Sequence, residues 1–391
     1  MTTVNDRSLS GNDISVYLSP QTTKGAIDAN PTFDPFRRTE GKAKKEIAYI
    51  SSSEVKSNRQ GRTQVQDTIT YTGALSFELS QDSAKYLDGL IHGTAVDHDI
   101  ASTTIAATGT GFTSTAEFGD LNVGDWFKIE GFSDSTIDGY YKISAKADSS
   151  TITTYVSPVA TEVVGASVVL ESTKTSSGSD QTYYTTQTRT VDKSAVGDID
   201  YRTFYDAVIN TGAIEVGETG IVTGSFDLNI EQLLAGSAIV SGQTDNTADT
   251  SDPVSAVNNI SAIYVDGVNS NCGVKSFGID FNNNYQGDRS ASCEGERYAF
   301  GDVESTGALV TRAVISNTFN WRDKFEASTP FALACIFTWS DGRWLIVEIM
   351  RAKLTEHSMP DASNVISSNE MSYSSEEDPV TNKTVQIFRN F

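Results

Sequence analysis

Residues 70–79 read TYTGALSFEL and residues 304–313 read ESTGALVTRA, so the string TGAL stands at 72–75 and again 234 positions later. Both stretches alternate apolar residues with Thr and Ser, the period-two pattern of a half-buried strand. Four shared letters mean little alone, so the flanking sequence decides whether a unit is repeated.

Before the first copy lies IAYISSSEVKSNRQGRTQVQDTI (47–69), and before the second GVKSFGIDFNNNYQGDRSASCEGERYAFGDV (273–303). Each reads as a strand leading into a long polar loop containing Gly, with SNRQGR aligned to NNYQGDR. After each TGAL strand comes a short amphipathic segment. The first is SQDSAKYLDGLIHG, with Ala84, Leu87 and Ile91 at helical spacing behind the N-cap candidates Ser80 and Asp82. The second is SNTFNWRDKFEAS, with Trp321 and Phe325 four apart and Asn317 as cap candidate. Further strands follow: DQTYYTTQTRTV (180–191) against FALACIFTWSDGRWLIVEIM (331–350), whose SDGR reads as a hairpin turn. Each copy closes on a strand rich in Ser and Thr, TGIVTGSFDLNI and NVISSNEMSYSS.

The expected organisation is a tandem duplication of one β-rich module. The first module comprises residues 1–100 and 174–244, a flexible linker covers 245–258, and the second module covers 259–391. Residues 101–173 are an insertion in the first copy with their own strands, DWFKIEGF, GYYKISAKADSSTITTYV and GASVVLES. Phe127 with Ile129 and Tyr141 with Ile143 share strand faces, which predicts a small β-sandwich or barrel. Its flanks, ASTTIAATGTG and ESTKTSSGSDQ, read as linkers, so the insertion is expected to project outward and to be removable without unfolding the rest.

Composition agrees with a mainly β, ordinary globular chain. Of 391 residues 38% are hydrophobic and 20% charged; Gly is frequent at 30 and Pro scarce at 8, so short strands joined by Gly, Asn and Asp turns are expected. The start shows no secretory signal pattern, and no stretch is apolar for long enough to span a membrane. Cys272, Cys293 and Cys335 form no CxxC pair and are expected to be buried thiols.

The net charge of −22 argues against a surface that grips nucleic acid through phosphate neutralisation. Residues 37–62 nevertheless hold eight cations against three anions, a balance of +5 that leaves −27 for the remainder. A basic strip on an acidic body suits contacts between copies of the chain, whereas the bland reading is a solvated loop with several lysines.

Little in the sequence points to catalysis. His92, His98 and His357 lie in no nucleophile or metal motif and read as solvated or helix-end residues; no GxSxG, HExxH, P-loop or Rossmann fingerprint occurs. Two carboxylate groupings could suggest a metal, Asp97 with Asp99 and Asp245 with Asp249 and Asp252; the second lacks EF-hand spacing and reads as part of the flexible linker. Trp321, Phe325, Trp339 and Trp344 fall in strongly patterned segments and read as core. No cofactor and no metal are expected.

The order of strand, polar loop, TGAL strand, short helix and closing strands, written twice, resembles the tail tube proteins of long-tailed, non-contractile bacteriophages. The resemblance is clearest over 42–92, 200–230 and 260–355, in KKEIAYISSSEVKSNRQGRTQ, VTGSFDLNI and FGIDFNNNYQ. It implies β-sandwich modules flanked by a helix, joined edge to edge into a six-module ring whose bore passes DNA without specific binding. A chain with two fused modules would then form a three-chain ring.

The resemblance further implies a virion tail protein made in the host cytoplasm. Its partners would be itself and the tape-measure, tail terminator and distal tail proteins, without a membrane. An inter-ring stacking loop would hold Ser52, Ser53, Glu54, Lys56, Arg59, Arg62 and Gln64, with Asn283, Tyr285, Asp288 and Arg289 as its second-module equivalent. Two competing readings are a carbohydrate- or cell-surface-binding β-protein with the insertion as binding module, and an adhesin fragment with Ig-like repeats.

Overall fold

The structure, a computed structural model, describes residues 13–51, 64–163, 167–191, 199–270, 273–289, 295–313, 320–359 and 368–391. Apart from residues 100–171, its principal elements in chain order are β1 (Ile14–Gln21), β2 (Thr32–Phe36), β3 (Arg38–Ser51), β4 (Gln64–Glu78), α1 (Gln81–Ala84), α2 (Leu87–Leu90), β5 (Thr173–Ser176), β6 (Tyr183–Val191), β7 (Ile199–Val216), β8 (Thr223–Leu233), β9 (Ile260–Val265), β10 (Val274–Asn282), β11 (Glu304–Arg312), α3 (Trp321–Glu326), β12 (Phe331–Thr338), β13 (Trp344–Ser358), β14 (Ser368–Ser375) and β15 (Val385–Arg389). The chain is mainly β, as its alternating Thr, Ser and apolar residues predict.

One strand order occurs twice. The first set runs β3–β4–β8–β7–β6–β1, and the second runs β10–β11–β14–β13–β12–β9, with every neighbouring pair antiparallel. Register irregularities recur with it. Against β8, β7 slips between Ile209 and Thr211; against β14, β13 slips between Leu354 and Glu356. A second pair of slips falls at Tyr184/Thr186 on β6 and Phe331/Leu333 on β12. Bulges bend and re-aim a strand, and here each lets one long strand serve two ladders in succession.

The two TGAL strings have a common packing reason. Alternate residues of β4 (Ile69, Tyr71, Leu75, Phe77) are buried in the large core shared by both sets, and Leu309 of β11 joins them. Gly73 lies on that face opposite Leu228, and Gly307 opposite Tyr373. A Cβ at Gly73 would stand 3.2 Å from the Leu228 side chain; one at Gly307 would stand 2.1 Å from the Gly278 carbonyl oxygen and 2.4 Å from the Tyr373 hydroxyl. Glycine at both places makes room for a large neighbour on the next strand.

Each TGAL strand is followed by short helical turns. Ser80 caps α1 through a capping box with Ser83, while Asp82 lies inside the helix. Asn320, not Asn317, caps α3, because the helix starts at Trp321; Asn317 lies outside the described residues.

Residues 100–171 form a separate seven-stranded unit. Strand 139–148 pairs with 126–130 through its first half and with 151–154 through its second, so two sheets share it. Phe112, Phe127, Ile129, Tyr141 and Ile143 are buried in the core of this unit.

The flanks of this unit are not free tethers. On one side Val96–Asp97 pairs with β5, and β5 pairs with the C-terminal strand β15. The unit's second face packs on the outer strands of the second set: Trp126 joins Ala262, Ala334, Ile336, Trp344, Ile346 and Phe388 in a buried cluster. Behind it, Lys142 Nζ lies 2.5 Å from Glu348 Oε1, and Trp126 Nε1 donates to Glu348 Oε2 at 3.0 Å. Burial chiefly pushes the Glu348 carboxyl up, with Lys142 opposing it. Burial also acts to lower the Lys142 ammonium, but Glu348 outweighs it and leaves it raised. The unit therefore sits against the second set instead of standing off on linkers, because aromatic residues occupy both faces of its strands.

The stretch read as a flexible linker at 245–258 is likewise held. Val254 is fully buried, exchanges backbone hydrogen bonds with Leu79 and Val222, and is followed by a bridge between Ser255 and Ile221. Trp339 Nε1 donates to the Asp252 carbonyl at 3.1 Å.

Candidate functional site: a sheet face and its edges

The second half of β7 has a ladder on each side. Thr211–Glu215 pair with β8, and Thr211–Val216 pair with β10, the first strand of the second set. One sheet therefore runs β3–β4–β8–β7–β10–β11–β14–β13 across both strand sets, with a seam at β7–β10. Its ends are the outer edge of β3 and the outer edge of β13 from Lys353 to Ser358. Among the described residues neither edge has a strand partner.

The two faces of this sheet differ sharply. One packs on the core through Phe77, Phe226, Ile214, Ile279, Leu309 and Met371. The registers place Lys42, Lys44 and Glu46; Thr72, Ala74 and Ser76; Ser225 and Asp227; Ala213 and Glu215; Gly278 and Asp280; Thr306 and Ala308; and Ser372 and Ser374 on the other. That face is built from small, hydroxylated and charged residues, and its acids (Glu40, Glu46, Glu78, Glu215, Asp227, Asp280, Glu304, Glu356, Glu370) outnumber its cations (Lys42, Lys44, Arg312, Lys353). Partial burial between flanking strands raises the Asp280 carboxyl above its usual range.

The residues expected to form the second-set loop sit at the seam. Asn283 is fully buried and donates from Nδ2 to the Leu90 and Ile209 carbonyls, both at 2.9 Å. The Tyr285 hydroxyl lies 3.1 Å from His92 Nε2 and accepts from Gln181 Nε2 at 3.1 Å. Asp288 is exposed in a short hairpin of 286–288 with 297–299, and Arg289 donates to the Ile69 carbonyl at 3.1 Å. Tyr298 N donates to buried Glu231 at 3.0 Å, which fixes that hairpin on the first set. Asn283, Tyr285 and Arg289 thus turn onto the first set and do not reach away from it, since their polar atoms find partners there. Of the first-set loop, Gln64 is exposed at the start of β4, while Ser52, Ser53, Glu54, Lys56, Arg59 and Arg62 lie outside the described residues.

His92 stands at a helix end, one of the two readings the sequence offered, but it is buried and not solvated. It follows α2 in the left-handed region (φ 50°), where the chain turns back under the seam. Burial lowers its pKa from 6.5 to about 4. A histidine held neutral adds stability that is complete above its unfolded pKa and is lost as pH falls from 6.5 towards about 4. The difference corresponds to about 3 kcal/mol. Chemical denaturation at pH 7 and pH 4.5 should therefore show a steeper acid loss in the native chain than in His92→Asn, which tolerates the same backbone.

Cys335 is a buried free thiol whose pKa burial raises; Cys272 and Cys293 lie outside the described residues. Trp321, Trp339 and Trp344 are buried, and Phe325 packs against the core. Among the described residues no group of three or more His, Cys, Asp or Glu side chains is placed to hold a metal ion, and no helix is long and apolar enough to cross a membrane.

The sheet face is thus broad, built of small and polar residues over eight strands, and bounded by open edges. The sequence profile of the family described as Phage tail tube protein matches residues 11–343. The chain belongs to that family, and its class is a structural component of the virion tail. No curated protein matches the sequence.

Proposed function

We propose that the two strand sets are two fused tube modules and that three chains close into a ring of six modules, rings stacking into the tube of a non-contractile tail. The first module takes residues 1–100 and 174–244, the insertion 101–173, the connector 245–258 and the second module 259–391. The observation that carries this reading is the β7–β10 seam: the chain already joins one module to the next through a continuous sheet, and leaves the same kinds of edge open at both ends. An unpaired edge is a template for another strand, and closure into a ring removes it.

In such a ring the polar sheet face lines the bore. Its small side chains leave a smooth wall and its acids repel phosphates, so a genome slides through on ejection without sticking. The tape-measure, terminator and distal tail proteins would meet this wall and the ring faces. Synthesis takes place in the host cytoplasm.

Negative-stain electron microscopy of the concentrated protein tests the reading. Hollow tubes or stacked rings, with three-fold averages showing six similar lobes, are expected. Discrete monomers, together with binding on a glycan array, would replace it with the carbohydrate-binding reading.

A further inference from the structure

The seam inside the chain is a template for the seam between chains, and its register can be transferred. This inference rests on the tube reading and specifies how one copy meets the next. Opposite TGAL, Lys42 faces Ala74 in the first set and Gly278 faces Ala308 in the second, so Lys42 is the counterpart of Gly278 and Lys45 that of Phe281. On the other partner strand the shared bulge fixes the match. Phe226 and Met371 hold the same place opposite Leu75 and Leu309; they pair with Gly212 and His357, which are therefore counterparts.

Within the chain Gly212 pairs with Phe281 and Ala213 with Asp280. We propose that the open edge of β3 in one copy pairs antiparallel with the open edge of β13 in the next copy, with Lys45 opposite His357, Lys44 opposite Ser358 and Ala43 opposite Met359. Glu46 then faces Glu356, and Lys44, which already holds Glu46 at 2.6 Å, lies diagonal to Glu356 and offsets the two like charges.

A second feature of the inner seam recurs in unfilled form. Counting four residues on from Lys45 and Phe281 reaches Tyr49 and Tyr285. Tyr285 is 9% exposed, seated by His92 at the end of α2 and bonded through its backbone N–H to Asn210, the bulged residue of β7. Tyr49 is 56% exposed, with Ile47 and Ile50 beside it. The counterpart of its seat is also open: Ser328 follows α3 at φ 50°, as His92 follows α2, and both Ser328 and the bulged Thr355 are exposed. Tyr49 of one copy fills the place by Ser328 and Thr355 of the next. The same register superposes Tyr285 on Tyr49, upstream of SNRQGR, and so replaces the alignment of SNRQGR with NNYQGDR.

The test is oxidative cross-linking of assembled tubes. The variant K45C/H357C should give disulfide-linked oligomers between copies, because residues directly opposite in a ladder bring their Cβ atoms close. The shifted control K44C/H357C should lose this product, since a one-residue slip puts the two thiols on opposite faces. Native cysteines are common to both variants and cancel. The A43C/M359C pair tests the same register should the first variant fail to assemble, and a photo-cross-linker at Tyr49 in the otherwise native chain should label the peptide around Ser328 or Thr355 of a neighbour. Tubes that form but link at the shifted pair, or that label elsewhere from Tyr49, overturn the register while leaving the tube reading intact. Absence of any ring or tube overturns both.

Discussion

Replacing Glu348 by Ala is expected to destabilise the folded chain by about 3–5 kcal/mol, measured by chemical denaturation at pH 7. Glu348 is 1% exposed and receives the Lys142 ammonium on one oxygen and the Trp126 indole N–H on the other. Removing the carboxylate leaves a buried ammonium and a buried indole donor without their acceptor, and the first is the larger penalty. The double change Lys142→Met with Glu348→Leu should recover most of the loss, because it removes both charges and keeps apolar volume at the joint. If E348A were nearly neutral, water would have to reach Lys142, and the insertion would not be seated tightly on the second strand set.

The second large effect concerns the insertion as a whole. Excising residues 101–171 and joining the ends with a short Gly/Ser linker should yield a protein that self-associates or unfolds, contrary to what the Ser- and Thr-rich flanks suggest. In the intact chain the insertion covers Trp344, Ile346 and Phe388. Uncovering them would return roughly 1.5–3 kcal/mol of burial per large apolar side chain to water and create a contiguous apolar patch. Changing Trp344 and Ile346 to Thr in the excised chain should restore solubility in a sedimentation assay. A soluble, native-stability excision variant without those changes would show the contact to be dispensable.

How much of this was legible in the sequence follows the range of the forces involved. TGAL, the turn signals and the alternation of Thr and Ser with apolar residues are local, and they gave away the mainly β fold and the repeated order. Docking of the insertion was written less plainly. Trp126 precedes Phe127 and Tyr140 precedes Tyr141, so aromatics stand on both faces of each strand, which a strand with one wet face does not require. The inward turn of Asn283 and the burial of His92 were invisible, because both are polar and only the seam supplies their partners. For the same reason the loop candidates Asn283 and Tyr285 read as solvent-exposed residues when taken from the sequence alone.

The β7–β10 seam also has a consequence of parity. Because every chain contributes two strand sets already fused at that seam, no closed assembly of whole chains can contain an odd number of sets. In the proposed ring, half of the joints would be completed when a single chain folds, at no dependence on protein concentration, and only the remaining half would have to find their partners by diffusion. Miscounting by one set would thereby be ruled out by the covalent chain itself.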